Sequence, residues 1–188
     1  MDLSTWQNST WYSANDDVIQ QLPYHVAEWV AEFGSLTQKL SHYVSEVKLN
    51  LLKEGTELPA ETEARLLDLS QQELSRIREV TLLGPNRPWI YARTIVPVSE
   101  EKLIGDLGDT PLGSILFTSS ELRRLSLEIA QLSPEHRLFE KAKGQCPEVS
   151  NMKYLWARRS LWANIKEGKK KLLLLEMFLP DSPLYAEE

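Results

Sequence analysis

Residues 76–83 and 88–98 are two strand-like runs with only Gly84-Pro85-Asn86-Arg87 between them. A link this short, carrying glycine and proline, turns the chain straight back, so the two runs read as an antiparallel hairpin. The same signal recurs along the chain. Val47, Leu49 and Leu51 alternate with Lys48, Asn50 and Leu52 until Gly55, which is expected to break the run. Residues 123–132 set Leu125, Leu127 and Ile129 on one side. Residues 154–165 and 172–179 form a last hairpin over the charged turn Lys166-Glu167-Gly168-Lys169-Lys170, and Pro180 and Pro183 stop the final strand. The reading is six strands, mostly hairpin-linked, in one antiparallel α+β domain over residues 1–188.

Helical spacing is confined to the segments around these strands. Pro23 opens a stretch in which Val26, Trp29, Val30 and Phe33 recur at helical intervals, and Gly34 ends it. Ser35 is placed to cap a second short helix through Leu40 and Tyr43. Three short helices are expected early and two in the middle, one over 100–107 after Ser99 and one opened by Thr110-Pro111. Residues 57–69 read as a polar connection, with the acid-rich part on a solvated surface. Residues 133–152, with Pro134, Gly144 and Pro147, read as a loop or lid.

Three ionisable residues interrupt faces that are otherwise apolar. Arg78 shares a face with Val80 and Leu82, Arg93 with Trp89, Tyr91 and Ile95, and Glu176 with Leu172, Leu174 and Phe178. A charge in such a place is costly unless it is paired or binds a ligand. Two readings stay open: a buried Arg–Glu pair that only ties strands together, or a closed pocket for a small anion. Two arginines against one carboxylate leave surplus positive charge, which tilts the balance toward the pocket. Arg158-Arg159 points one residue each way; one of the two can face the site, but a solvated arginine is the favoured reading. Lys169, Lys170 and Lys171 read as a solvated hairpin tip, and the six tryptophans as core.

Composition narrows the function. Hydrophobic residues make up 42% of the 188 and charged residues 26%, as in a soluble globular chain. The longest apolar run, Leu172 to Leu175, stops at Glu176, so no membrane span is expected. Met1-Asp2-Leu3-Ser4 does not open a secretory signal, which points to the cytoplasm. A net charge of −6 argues against nucleic acid as a partner. It also means that an anionic ligand must be held by a few placed arginines against the overall field. Cys146, the single cysteine, excludes an internal disulfide and reads as a loop residue rather than a nucleophile. His25, His42 and His136 share no metal-ligand spacing, so no metal is expected.

Several motifs together resemble the chorismate pyruvate-lyase family. They are Pro88-Trp89 followed by Ala92-Arg93-Thr94-Ile95-Val96-Pro97-Val98; Leu107-Gly108-Asp109-Thr110-Pro111-Leu112-Gly113 running on to Leu116-Phe117-Thr118-Ser119-Ser120; Ala157-Arg158-Arg159-Ser160; and the ending from Leu172 through Glu176-Met177-Phe178-Leu179-Pro180 to Ser182-Pro183-Leu184-Tyr185. The resemblance covers most of the chain from about Phe33 onward. It implies a six-stranded antiparallel sheet whose helical flaps close over a buried ligand. It also implies cleavage of chorismate to 4-hydroxybenzoate and pyruvate without a cofactor; slow release of product is expected, a monomer is the default, and quinone biosynthesis is one of several routes that begin with 4-hydroxybenzoate.

By the same resemblance Arg78 falls on the ligand-binding arginine and Glu176 on the ligand-binding glutamate. Leu112 and Leu36 fall at positions that bind ligand largely through backbone, and Arg93 on a second pocket arginine. Arg78 is then expected to take a carboxylate, Glu176 the ring hydroxyl, and Arg93 the charge on the departing enolpyruvyl oxygen. Two departures stand out. Ala92 replaces a glycine of some relatives and implies a tighter pocket floor, and 133–152 is longer than in compact relatives. The competing reading is a non-catalytic effector-binding domain of the same fold. Such domains normally follow a DNA-binding helix-turn-helix, for which the roughly 45 residues before the first expected strand are too few and not basic.

Overall fold

The computed structural model describes residues 6–85, 87–105, 107–108 and 110–186. Met1-Asp2-Leu3-Ser4, Asn86 of the hairpin link and Asp109 of the 107–113 motif lie outside the described residues. One antiparallel sheet dominates. Its strands are β1 (Tyr12–Ser13), β2 (Lys48–Glu57), β3 (Ser75–Leu83), β4 (Pro88–Pro97), β5 (Leu122–Leu132), β6 (Leu155–Asn164) and β7 (Lys170–Phe178). They lie side by side in the order β1-β5-β6-β7-β4-β3-β2.

The six expected strands are present, and the sheet has seven rather than six. The added β1 pairs only Tyr12 with Ile129 and Ser13 with Glu128, which is too short to leave a periodic trace in sequence. Gly55 does not end β2. It pairs with Ile77, and the irregularity in that ladder falls between Leu51 and Lys53. In the β3–β4 hairpin the Gly84 N–H donates to the Arg87 carbonyl at 2.9 Å. A Cβ at Gly84 would lie 1.9 Å from the Trp89 ring, so only glycine lets the link pass that indole.

Six α-helices are present among the described residues: α1 (Asp16–Ile19), α2 (Tyr24–Val30), α3 (Leu36–Leu40), α4 (Glu61–Leu66), α5 (Gly113–Leu116) and α6 (Arg137–Lys143). The Ser35 hydroxyl caps α3 as expected, accepting from the Gln38 N–H at 3.3 Å. The helix expected after Ser99 is a 3₁₀ turn over Val98–Leu103. No helix among the described residues is long and apolar enough to cross a membrane.

The helices divide between the two faces of the sheet. On one face α2 and α3 bury Val26, Trp29, Val30, Leu36 and Leu40 against Leu82, Ile90, Trp156 and Phe178. Further along that face Leu112 and Leu116 pack with Val96, Trp162 and Leu172. On the other face Leu138, Phe139, Ala142, Cys146 and Val149 pack against Ile77, Tyr91, Ile95 and Leu173. Residues 133–152 are therefore no lid. They fold as α6 and a 3₁₀ turn, Pro147–Asn151, with an apolar side built into the core. Cys146 is buried there, its Sγ 3.3 Å from Glu148 Oε2. Burial pushes its thiol pKa up, the opposite of an activated nucleophile. The hairpin tip also differs from expectation. Lys169 is exposed, but Lys171 is buried and pairs with Glu100 at 2.5 Å and Glu167 at 3.0 Å.

Candidate active site

Register decides which charged side chains meet. Across β3, β4, β7 and β6, Val80, Ala92, Glu176 and Arg158 form one row, and Arg78, Thr94, Leu174 and Ser160 the next. Arg124 of β5 stands opposite Trp162, one row further on. These side chains share the face covered by α3 and α5, and Arg78, Val80, Ala92, Thr94, Arg124, Arg158, Leu174 and Glu176 line a cavity of about 40 Å³. Its walls include Ser35, Leu36 and Thr37 on one side and Pro111, Leu112, Gly113, Leu116 and Phe117 on the other. The two walls touch where a Cβ on Gly113 would come within 2.7 Å of the Ser35 hydroxyl. An apolar cavity that binds benzene measures roughly 150 Å³. An aromatic ligand therefore enters this site only if a wall gives way.

The charge inside is lopsided. Among the described lining residues there are three guanidinium groups, of Arg78, Arg124 and Arg158, and one carboxylate, that of Glu176. Arg158 Nε donates to Glu176 Oε2 at 2.6 Å, with both side chains almost fully enclosed. Each arginine also holds a wall by its backbone. Arg78 donates to the carbonyls of Gly108 at 2.8 Å and Thr110 at 3.3 Å. Arg158 donates to Glu32 O at 2.5 Å and Arg124 to Phe33 O at 2.6 Å. Burial, and then the nearby charge of Arg158, lowers the Arg124 pKa to about 10.

Of the residues singled out in sequence, Leu36, Arg78, Leu112 and Glu176 come together here, with Ala92 on the cavity floor. Arg93 does not. With Arg78 opposite Thr94, Arg93 falls opposite Glu79 and faces the other side of the sheet. There it makes two bonds to Glu63, at 2.9 and 3.1 Å, and one to Glu79 at 2.5 Å. Arg137 also pairs with Glu63, and Lys141 lies 3.4 Å from Glu79. The expected solvated acidic surface thus contributes a carboxylate, Glu63, that is 2% exposed. Burial alone would raise the pKa values of Glu63 and Glu79, but Arg93, together with Arg137 at Glu63 and Lys141 at Glu79, outweighs it and holds both below the usual carboxylate range. The buried Arg–Glu pairing that ties strands together is thus found on this far face, while the opposite face carries a cavity with surplus positive charge.

Arg158 lines the site where a solvated arginine was the favoured reading of Arg158-Arg159, and Arg124 was not singled out. Parity within the β6–β7 hairpin puts Arg158 beside Glu176, a signal present once the turn is placed. Arg124 left no such signal. Simple alternation gives its face to Leu125, but an irregularity between Arg124 and Ser126 shifts the register, leaving Leu125 exposed and Arg124 inside. Among the described residues no group of three or more His, Cys, Asp or Glu side chains is placed to hold a metal ion.

The architecture has solved counterparts. A GntR-family transcriptional regulator from Bacillus cereus aligns over 77% of this chain and 97% of its own, with a TM-score of 0.60 and 15% identity. The ligand-binding domain of a putative GntR-family regulator from Bordetella bronchiseptica gives a TM-score of 0.54 over 73% and 86%, at 12% identity. The fold is that of an α+β protein of this class, one antiparallel sheet with few helices, here with a cavity against the sheet. Sequence carries the assignment further. The chorismate lyase family model matches residues 5–188. The chorismate pyruvate-lyase of Erwinia tasmaniensis is 34% identical over 162 residues, covering 84% of this chain and 80% of that one. That of Pectobacterium carotovorum subsp. carotovorum is 32% identical over 189 residues, covering 98% and 92%. The chain belongs to the chorismate lyase family.

Proposed function

We propose that the protein cleaves chorismate to 4-hydroxybenzoate and pyruvate. The observation that carries this reading is the enclosed cavity in which three arginines surround a single carboxylate, Glu176, between apolar walls. Chorismate is complementary to it: a dianion whose ring hydroxyl lies para to the ring carboxylate and next to the ether that bears the second carboxylate. Cleavage breaks the ether bond to the enolpyruvyl group and removes the ring hydrogen beside the hydroxyl. The enolpyruvyl carbon takes up a proton to become pyruvate, and the ring becomes aromatic. Atoms balance and no oxidation state changes overall, so aromatisation supplies the driving force. The protein has to hold the reactive conformer, keep water out and steady the charge that moves to the departing oxygen.

In this reading Arg78 receives the ring carboxylate, helped by backbone N–H groups near Leu36 and Leu112. Glu176 accepts from the ring hydroxyl and afterwards from the phenol. The role first expected of Arg93 passes to an arginine inside the cavity, since Arg93 lies behind the sheet. A closed apolar cavity with polar groups at both ends suits an aromatic acid, so product is retained and inhibits until a wall opens. The methyl of Ala92 on the floor limits that retention. We place the enzyme in the cytoplasm, as a monomer, ahead of a route such as quinone biosynthesis that consumes 4-hydroxybenzoate. The likeness to regulator domains concerns fold and gives no second reading of comparable weight. Incubation of purified protein with chorismate, in buffer with a chelator and no added cofactor, tests the proposal. Equal amounts of 4-hydroxybenzoate and pyruvate are expected, and formation of neither would overturn it.

A further inference from the structure

The sheet spaces the cavity's charges in a fixed order. Arg78 stands on β3, Glu176 two strands away on β7, Arg158 on the next strand, β6, and Arg124 on β5 beyond it. At about 4.8 Å between neighbouring strands, Arg78 and Arg158 start roughly 14 Å apart, with Glu176 between them. Long side chains reaching inward from both ends border a gap with a hydrogen-bond acceptor in the middle. One end of that gap is accounted for by Arg78.

At the other end the two arginines are not equivalent. Arg158 is balanced by Glu176 at 2.6 Å. Arg124 makes no ion pair among the described residues, and its partner there is the neutral carbonyl of Phe33. Its buried Nε has no hydrogen-bond acceptor. The guanidinium lies 4.8 Å from the centre of the Trp162 ring and 5.3 Å from that of Phe117, which hold it in place but supply no counter-charge. A guanidinium taken out of water without an anion is unfavourable, and the lowered pKa of Arg124 expresses that cost. Were Arg124 only a tie to Phe33, a neutral donor would serve as well.

We infer that Arg124, with Arg158 beside it, is a second anion subsite, which takes the side-chain carboxylate of a dianionic substrate while Arg78 holds the ring carboxylate. The assignment rests on the lyase reading for the identity of the substrate, but the subsite itself is defined by charge and position. It separates the two products. 4-Hydroxybenzoate, with one carboxylate, engages Arg78 and Glu176 and leaves Arg124 alone. Pyruvate carries away the carboxylate that Arg124 had held. Arg124 is thus a substrate-binding residue that discriminates substrate from retained product.

Calorimetric titration of the parent, Arg124→Gln and Arg124→Lys with two probes tests this. The probes are 4-hydroxybenzoate and 3-(carboxymethoxy)-4-hydroxybenzoate, which adds a second carboxylate where chorismate has its enolpyruvyl group. Arg124→Gln should bind the dicarboxylate about ten- to a hundred-fold more weakly, the scale of a lost charge-assisted contact. Its affinity for 4-hydroxybenzoate should stay within about twofold, which also reports that the variant is folded. Arg124→Lys should recover part of the loss, because it restores the charge. Parallel weakening for both probes, or no weakening for either, would overturn the inference. A parent that shows this discrimination but does not turn over chorismate would refute the lyase reading and leave the subsite standing. Turnover with an unchanged KM in Arg124→Gln would refute the subsite alone.

Discussion

Arg78 and Arg93 occupy adjacent strands, and one step of register sends them to opposite faces. The consequences of removing them should differ accordingly. Arg78→Ala should weaken 4-hydroxybenzoate binding about ten- to a hundred-fold while the chain still folds. Unchanged affinity in a titration would show that the carboxylate lies elsewhere. Arg93→Met leaves Glu63 and Glu79 buried without their main partner. It should cost about 3–5 kcal/mol in denaturant unfolding, with ligand affinity in the folded fraction within about twofold. A large loss of affinity at unchanged stability would contradict this. The same cluster sets the acid limit. Glu63 and Glu79 are held below the usual carboxylate pKa of 4.5, so their stabilisation is complete above that value. It is lost as pH falls through their depressed folded values. Glu79→Gln should flatten the fall of unfolding free energy below pH 4.5 by up to one proton's worth of slope, and an unaltered slope would deny the ion pair. Alternation made Arg78, Arg93 and Glu176 visible in sequence as charges on apolar faces. It could not say which faces coincide, because that depends on pairing between strands. Arg124 was hidden by a local shift of register that no composition signal marks.

At the level of elements, six strands and the turns between them were legible, because each carries its own periodicity and its own breakers. The helix after Ser35 was legible by its cap, whereas α4 and α6 fall in stretches that read as a polar connection and a loop. Less was legible where burial comes from a distant partner. Residues 133–152 are polar on average, yet Leu138, Phe139, Ala142 and Val149 fall on one side and pack under the sheet. Glu63 sits in an acidic stretch and is buried only because Arg93 reaches it. The two cavity walls, at the start of α3 and around α5, meet through the missing side chain of Gly113. In Gly113→Ala the new methyl displaces the Ser35 hydroxyl and disturbs the cap of α3, a loss of about 1 kcal/mol. The walls then rest further apart. Dissociation of 4-hydroxybenzoate should be faster than in the parent, as measured by stopped-flow displacement. An equal or slower off-rate would mean that these walls are not the gate.

For the molecule as a whole, the sheet separates two ionic clusters, one lining the cavity and the other pairing Arg93 with Glu63 and Glu79 on the far face. It also ends in two unlike edges. The outer strand β2 carries exposed Lys48, Asn50 and Lys53 and a ladder irregularity, features that discourage another chain from pairing with it. The opposite strand, β5, is eleven residues long, and its outer rim is occupied by residues 9–14. The Ser9 N–H donates to Gln131 O at 2.7 Å and the Ala14 N–H to Leu127 O at 2.9 Å, on either side of the two-residue β1. This short cover has a colloidal consequence. Without it, β5 presents a bare row of amides and carbonyls that a second molecule can extend, as strands do at the growing end of a fibre. Deleting residues 6–14 should therefore turn a single sedimenting species into a concentration-dependent series. Trp6→Ala, which removes packing but keeps the cover, should not. If both variants sediment like the parent, the rim is protected by something other than these few residues; if the split appears, six residues far from the cavity set the shelf life of the whole protein.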